Sequence, residues 1–138
     1  MTYISLSEND TKKIAEAIAK KSAPGNIYCL DGEIGAGKTV FVNAFANAIG
    51  ITDYVCSPTF SIVNEYRGPI NLYHFDVYRI SCLDEMDYTN YEDYFYSNGI
   101  CIIEWAIFIK DLIPDFATWI TISKDLSIDE NYRRIDVK

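Results

Sequence analysis

The sequence predicts an α/β fold of three layers with a mixed parallel and antiparallel sheet. A short apolar strand at residues 27–30 leads into a glycine-rich loop and then into an alanine-rich helix at 40–49. Two β-rich runs at 60–66 and 70–75 flank a short turn, which is the pattern of an antiparallel hairpin. The continuous apolar run at 100–103 has the pattern of a buried central strand. These three patterns together indicate the fold class.

The two predicted helices in the first half of the chain have clear ends. Residues 7–10 fit a capping box, and small or apolar side chains then recur at helical spacing over 11–18. The turn-forming residues 22–25 end this helix, and Gly50 is a natural stop for the second.

The second half of the chain contains weaker signals. The acidic, tyrosine-rich stretch 83–95 is interpreted as one short helix. A further helix is predicted at 106–112 and closed by Pro114, and strands are predicted at 119–122 and 132–137.

Composition limits the classes of protein to consider. With 49% hydrophobic and 23% charged residues, the 138-residue chain can enclose one core, so one domain is expected over 1–138. The net charge of −8 argues against direct nucleic-acid binding, so any RNA is expected to reach the protein through a partner. The sequence contains neither a signal-peptide pattern nor an apolar run of about 18 residues, so a cytoplasmic protein that does not span a membrane is expected.

The four cysteines, Cys29, Cys56, Cys82 and Cys101, lie far apart and form no Cys-x-x-Cys pair. They are interpreted as reduced core residues of a cytosolic protein. The single histidine, His74, belongs to no metal-ligand spacing, so a zinc site is not expected.

The glycine-rich loop at 32–39 matches Gly-x-x-x-x-Gly-Lys-Thr and lies between a predicted strand and a predicted helix. In this context, backbone N–H groups wrap a phosphate at the positive end of the helix dipole. Lys38 is expected to reach the β- and γ-phosphates and Thr39 to bind Mg²⁺. No Asn-Lys-x-Asp motif for guanine is present, so ATP is the expected nucleotide. The residues predicted to contact it here are Glu33, Ile34, Gly35, Ala36, Gly37, Lys38 and Thr39.

A P-loop site also needs a carboxylate at the end of a neighbouring strand. Two residues compete for this role, since Asp76 follows the run 70–75 and Glu104 follows the run 100–103. On strand pattern alone Glu104 is the better magnesium partner. Asp76 is equally well explained as the first residue of a turn.

Three other features leave their roles open. Residues 57–60 lie where a mobile segment senses the γ-phosphate in many P-loop proteins, with Thr59 as the contact, but a turn ending in a strand fits equally well. His74 is in phase with the apolar side of its strand and fits a satisfied core histidine. The neighbouring carboxylates repel phosphate, so a packing or protein-contact surface is predicted for the tyrosines Tyr78, Tyr88, Tyr91, Tyr94 and Tyr96.

Four motifs, at 32–39, 57–60, 73–79 and 103–105, together resemble the TsaE (formerly YjeE) family. These are bacterial ATPases needed for the threonylcarbamoyladenosine modification of tRNA. The resemblance covers nearly the whole chain. It implies a P-loop fold that hydrolyses ATP with Mg²⁺ and acts on a complex of two partner proteins, TsaD and TsaB, so that contact with tRNA is indirect.

The resemblance also implies roles for individual residues. Thr39 and Glu104 become the magnesium ligands, Asp76 a residue required for hydrolysis, and Thr11 a neighbour of the adenine. With Lys38 of the P-loop, Asp76 and Glu104 form the expected catalytic set. His74, Tyr78 and Arg79 also match the family motif, which favours a functional interpretation of this strand end.

Three positions depart from the family pattern. Val40 stands where a second threonine is usual, so one hydroxyl near the phosphates is missing. Residues 42–44 lack a basic side chain, and 88–90 lack the usual glycine. The first departure bears on nucleotide affinity and the other two on partner contacts.

Three functions remain in competition. A partner-dependent ATPase is expected to hydrolyse slowly alone, because transition-state charge calls for a positive group. A small-molecule or nucleoside kinase uses the same loop but needs an acceptor pocket and a lid, and a non-hydrolysing adaptor uses nucleotide only as a switch. The arginines available to complete an ATPase site are Arg67, Arg79, Arg133 and Arg134.

Overall fold

A computed structural model describes residues 1–59 and 61–138 of the chain. They form a seven-stranded sheet with strand order β1-β7-β6-β2-β5-β4-β3. Four of these strands, β2, β4, β5 and β6, are mutually parallel, whereas the other three pair antiparallel with their neighbours. The prediction of an α/β fold with a mixed sheet is confirmed. The strands are β1 (Thr2–Ser5), β2 (Ile27–Asp31), β3 (Val63–Tyr66), β4 (Leu72–Asp76), β5 (Ile100–Glu104), β6 (Thr118–Lys124) and β7 (Arg133–Val137).

Helices cover both faces of the sheet and so produce three layers. Side chains alternate along β2: Tyr28 and Leu30 join one core with the helices α1 (Glu8–Lys20) and α2 (Lys38–Ala48), whereas Ile27 and Cys29 join the other. The second core is closed by α3 (Tyr91–Phe95) and by two 3₁₀ helices, Leu83–Thr89 and Ala106–Leu112. The central strand β5 is buried along its whole length, as its apolar run predicted.

The start of α1 follows the predicted capping pattern. The Ser7 hydroxyl accepts a hydrogen bond from the Asp10 amide at 3.1 Å, which satisfies a free N–H of the first turn. The Asp10 carboxylate in return accepts from the Leu6 amide at 3.0 Å, one residue before the cap. The side chain of Thr11 lies buried on the inner face of this helix.

The stretch 83–95 is not the single helix that its composition predicted. It divides into the 3₁₀ helix and α3 at Asn90, whose φ of 56° is left-handed. Asparagine tolerates this conformation better than most other residues with a Cβ. The predicted helix at 106–112 has the expected bounds but is 3₁₀, with a non-helical φ of −122° at Ile109.

The hairpin is confirmed, with Val63 to Tyr66 paired antiparallel to residues of β4. The predicted first strand reached back to Phe60, which lies outside the described residues. The edge strand β1 was not predicted, because four residues preceding a capped helix give too short a pattern. It pairs with β7 through Thr2, whose hydroxyl also donates to Asp136 at 2.6 Å.

The prediction of four core cysteines is only half correct. Cys29 and Cys101 are buried, and burial raises the pKa of the Cys101 thiol to about 12. Cys56 and Cys82 are exposed, because each lies in a connection outside the sheet and not in an apolar run. All four are free thiols.

Within residues 1–59 and 61–138, no helix combines the length and the apolar character needed to cross a membrane.

Candidate nucleotide-binding site

The P-loop joins β2 to α2 through backbone conformations that require glycine. Gly35 and Gly37 have φ values of 81° and 104°, in the left-handed region, and Gly37 is the N-cap of α2. Gly32 approaches β6 so closely that an added Cβ would lie 2.7 Å from the carbonyl oxygen of Ile122. The loop is therefore fixed against the sheet at its start. It ends at the N-terminus of α2, where the first-turn amides have no partner within the helix.

A cleft of about 760 Å³ opens in front of this loop, a volume in the range of small-molecule sites. Its walls are the loop with the first turn of α2, residues 57–59, and the carboxyl ends of β4 and β5. Lys38, Thr39, Asp76 and Glu104 all line it. The four residues come from three separate parts of the sequence.

Strand register explains why both candidate carboxylates reach this cleft. Asp76 and Glu104 are register partners at the ends of the parallel strands β4 and β5, and Leu30 of β2 pairs with Glu104 on the other side. Because parallel strands end at the same edge of a sheet, the two carboxylates face the loop that follows β2.

A buried group of three polar side chains lies at the floor of the cleft: Lys38 and Glu104 line the cleft, and His74 contacts Glu104. Lys38, His74 and Glu104 are only 9%, 2% and 7% exposed. The ammonium of Lys38 lies 3.8 Å from Glu104 Oε1, and His74 Nε2 lies 2.6 Å from Glu104 Oε2. Mutual contacts thus compensate the cost of removing these groups from water.

Trp105 covers this group from the side of the cleft. Its φ of 63° turns the backbone sharply directly after Glu104, a conformation that is rare for a residue with a Cβ. The Lys38 ammonium lies 4.3 Å from the centroid of the indole ring, a cation–π contact. The indole also stacks on Phe108 and contacts Tyr78, at centroid distances of 5.6 Å and 4.8 Å.

His74 is buried and satisfied, as predicted for a core histidine, but one of its partners is a site residue. Its Nδ1 lies 3.3 Å from the carbonyl oxygen of Cys56, and its Nε2 contacts Glu104.

The rest of the cleft lining is more exposed. Asp76 is half-buried, and its Oδ1 accepts from the Tyr78 amide at 3.0 Å, so the residue both starts a turn and lines the cleft. Thr59 is exposed, and its carbonyl oxygen accepts from Arg79 Nη1 at 3.2 Å. Arg79 therefore holds residues 57–59 by one described hydrogen bond.

The five tyrosines divide into packed and exposed residues. Tyr94 packs on Tyr73 and Phe75, and Tyr91 packs on Phe95. In contrast, Tyr88 is 90% exposed.

A second, smaller pocket of about 130 Å³ lies on the other side of the P-loop. Thr11 lines it, together with Val40, and Gly35 and Gly37 line both this pocket and the main cleft. The hydroxyl groups of Thr11 and Ser5 form a hydrogen bond, with 2.7 Å between their oxygen atoms.

Arg133 also lines the small pocket, whereas the sequence offered it only as one of four arginines available to complete the site. Its Nε donates to the carbonyl oxygen of Ala36 at 2.9 Å, and its Nη2 donates to that of Gly35 at 3.3 Å. These partners lie almost 100 positions earlier, so only the sheet order, which places β6 beside β2 and β7 beside β6, reveals the contact. Of the other loop residues, Glu33 and Ile34 are exposed and Ala36 is buried.

Asp31, the last residue of β2, directly precedes the loop. Its Oδ1 is buried and has no hydrogen-bond partner among the described residues. Desolvation raises the pKa of this carboxyl group, and the nearby Lys38 ammonium opposes the rise. This carboxylate was also missed, although it ends β2 just as Asp76 ends β4 and Glu104 ends β5.

The donor atoms at the cleft suit magnesium. Thr39 brings a hydroxyl and Glu104 a carboxylate, and hard oxygen donors are the ligands that Mg²⁺ prefers. Among the described residues, no cluster of three or more His, Cys, Asp and Glu side chains could hold a metal alone. This is the chemistry expected when Mg²⁺ is bound through one or two protein groups and the phosphates of a nucleotide.

Comparison with known proteins gives a consistent result. The family model described as threonylcarbamoyl adenosine biosynthesis protein TsaE matches residues 5–135. The tRNA threonylcarbamoyladenosine biosynthesis protein TsaE of Bacillus subtilis is 40% identical over 125 residues, covering 90% of this chain and 78% of that protein. Its counterpart in Treponema pallidum is 33% identical over 131 residues, covering 95% and 96%.

The fold comparison agrees with the sequence comparison. The crystal structure of YdiB from Bacillus subtilis matches with a TM-score of 0.79 and 34% identity, covering 98% of this chain and 82% of YdiB. The resemblance of the four motifs is thus confirmed, and the chain belongs to the TsaE family of threonylcarbamoyladenosine biosynthesis proteins.

Proposed function

We propose that this chain is the Mg²⁺-dependent, ATP-binding and ATP-hydrolysing subunit required for threonylcarbamoyladenosine modification of tRNA. The observation that carries the proposal is the complete P-loop facing Glu104 and Asp76 across one cleft. A phosphate-binding loop with strand-end carboxylates is the arrangement that P-loop hydrolases need. Family membership supports the modification pathway as its biological setting.

Each site residue has a separate role in this proposal. The loop amides and Lys38 bind the phosphates, and Lys38 leaves Glu104 and Trp105 to do so. Thr39 and Glu104 hold the magnesium shell. Magnesium bound with the nucleotide neutralises charge that develops on the phosphates. Asp76, which lines the same cleft without a described ion-pair partner, orients the attacking water.

The nucleotide spans both sides of the loop. Gly35 and Gly37 line the two pockets, so phosphates in the large cleft and adenine near Thr11 can belong to one molecule. Val40 lines both pockets as well, at the position where the family has a hydroxyl, and this supports weaker nucleotide binding.

Hydrolysis by the chain alone is expected to be slow. Of the four arginines only Arg79 lines the large cleft, and its guanidinium is bonded to the Thr59 carbonyl oxygen. Arg133 is bonded to carbonyl oxygens of the P-loop. Docking on the TsaD–TsaB complex would complete the site by moving the exposed segment at 57–59.

The remaining parts of the proposal concern the chain as a whole. It acts as a single P-loop domain over 1–138 in the cytoplasm, and its charge of −8 supports indirect contact with tRNA through TsaD and TsaB.

The test is phosphate release from ATP with and without purified TsaD–TsaB, in the presence and absence of Mg²⁺. We expect slow release alone and faster release with the partners. Transfer of phosphate to a metabolite instead of water would favour the kinase alternative. A non-hydrolysing adaptor would be favoured by two observations together. Cells with Glu104→Ala or Asp76→Ala would modify tRNA at the wild-type level, and partner binding would still depend on nucleotide.

A further inference from the structure

Two side chains tie the candidate magnesium ligands to the same short segment. Asn43 lies one turn after Thr39 on α2, and its Nδ2 donates to the Thr39 carbonyl oxygen at 3.0 Å and to the Val55 carbonyl oxygen at 2.8 Å. Its Oδ1 accepts from the Val55 amide at 2.8 Å. The amide side chain thus fixes Val55 from the side of the P-loop helix.

The next residue is fixed from the side of the sheet. The Cys56 carbonyl oxygen lies 3.3 Å from His74 Nδ1 and accepts from the Tyr66 hydroxyl at 3.2 Å. The other nitrogen of His74 contacts Glu104 at 2.6 Å. A continuous path therefore runs from Thr39 through residues 55–56 and His74 to Glu104.

We propose that His74 is a positioning residue that holds the Glu104 carboxylate in the orientation in which it binds Mg²⁺. The inference rests on the proposed magnesium site and assigns a role to a residue that does not itself contact metal or nucleotide. Through the Cys56 carbonyl oxygen, His74 also couples this orientation to the segment 57–59, which directly follows.

The geometry of Glu104 explains why such a residue is needed. Its Oε1 faces the Lys38 ammonium at 3.8 Å, so when Lys38 leaves for the phosphates the carboxylate loses that partner. The bond to His74 is shorter, buried and independent of Lys38. It keeps Oε2 fixed while Oε1 becomes available. Groups that orient a metal ligand in this way typically change metal affinity by about 10-fold to 100-fold.

Two conservative variants separate the two contacts of the ring. The amide nitrogen of asparagine stands near the place of imidazole Nδ1, and that of glutamine near the place of Nε2. His74→Gln therefore keeps a donor for Glu104, whereas His74→Asn keeps one for the Cys56 carbonyl oxygen. Tyr66→Phe is the matched control, because it removes a donor to Cys56 and leaves the bond to Glu104 intact.

The readout is binding of a fluorescent, non-hydrolysable ATP analogue during a Mg²⁺ titration and again in EDTA. For His74→Asn we expect the Mg²⁺ concentration at half-maximal effect to rise about 10-fold or more, with unchanged binding in EDTA. His74→Gln should shift it less, and Tyr66→Phe should not shift it. A merely structural defect would instead weaken binding in both conditions.

Four results would overturn the proposal. The first is an unchanged Mg²⁺ requirement in His74→Asn, the second is an equal shift in Tyr66→Phe, and the third is equal weakening by His74→Asn with and without Mg²⁺. The fourth applies if His74→Asn fails to fold, and it compares the Mg²⁺ requirement of His74→Gln with that of Glu104→Gln. An equal shift in the two variants overturns the proposal, and a smaller shift in His74→Gln supports it. Wild-type protein whose binding ignores Mg²⁺ would overturn the proposed function itself.

Discussion

The buried floor of the cleft and the exposed part of its lining differ in how far their side chains are already in place. On the floor, Lys38, His74 and Glu104 are buried and in mutual contact. In the exposed part of the lining, Thr59 and Arg79 are joined by one described hydrogen bond. The buried groups are held in place by their mutual contacts, whereas the exposed ones have room to move. We therefore expect nucleotide binding to depend mainly on the buried floor and hydrolysis mainly on the exposed part of the lining.

The largest effect should come from Lys38→Ala on the buried floor. The variant removes the only charged donor that the P-loop offers to the phosphates, so hydrolysis should fall on the order of 10²–10³-fold and nucleotide affinity should fall with it. Lys124→Ala is the matched control, because Lys124 Nζ also contacts the loop, at 3.4 Å from the Ile34 carbonyl oxygen. Calorimetry measures the nucleotide affinity, and phosphate release measures the rate of hydrolysis. Equal losses in the two variants would contradict a phosphate role for Lys38.

Asp76→Asn should separate the effect on hydrolysis from the effect on nucleotide binding. It keeps the acceptor for the Tyr78 amide but loses the charge, so hydrolysis should fall on the order of 10²-fold while nucleotide affinity stays close to wild type. Single-turnover rates and equilibrium binding check this together. A large drop in affinity would mean that Asp76 belongs to the binding floor.

Arg79→Ala should have a smaller effect, and mainly in the presence of the partner complex. Loss of its guanidinium releases the Thr59 carbonyl oxygen and removes a cation from the cleft, so we expect about a tenfold lower stimulated rate. Arg67→Ala, an exposed arginine outside both pockets, is the control. If Arg79→Ala left the partner-stimulated rate of phosphate release unchanged, Arg79 would have no part in completing the site.

The smallest effect concerns stability beneath the floor. Asp31 has a raised pKa in the folded state, so its ionised form destabilises the fold above that pKa and the penalty disappears as pH falls below the ordinary value. Asp31→Asn should therefore raise the free energy of unfolding at neutral pH by a small amount. Denaturant unfolding at neutral and acidic pH measures the gain, which should vanish in acid.

Asp136→Asn is the control of opposite sign. A hydrogen bond from Thr2 and the neighbouring Arg134 lower the pKa of Asp136, so its charge stabilises the fold above the ordinary pKa and this contribution is lost as pH falls through the lowered value. The substitution should therefore reduce stability at neutral pH. If both variants shifted stability in the same direction, the electrostatic explanation would fail.

The sequence predicts the buried floor better than its connections. The P-loop is a local motif, and the strands before Asp76 and Glu104 are apolar runs, so the shared edge follows from parallel pairing. The contacts of His74 with Glu104 and of Arg133 with the loop join residues 30 or more positions apart, and no local pattern encodes them. The break at Asn90 was missed for the opposite reason, since one backbone conformation interrupts a composition that otherwise favours a helix.

The contact between Lys38 and Trp105 gives the protein an optical property. An ammonium 4.3 Å from the indole centroid perturbs the electronic environment of the ring, and departure of Lys38 toward phosphates would relieve that perturbation. Trp105 is one of two tryptophans, so Trp119→Phe leaves it as the sole tryptophan, whose emission can be excited selectively over that of the tyrosines. The intrinsic fluorescence of that variant should then report the filling of the cleft directly, without a labelled nucleotide, and in real time during docking on a partner.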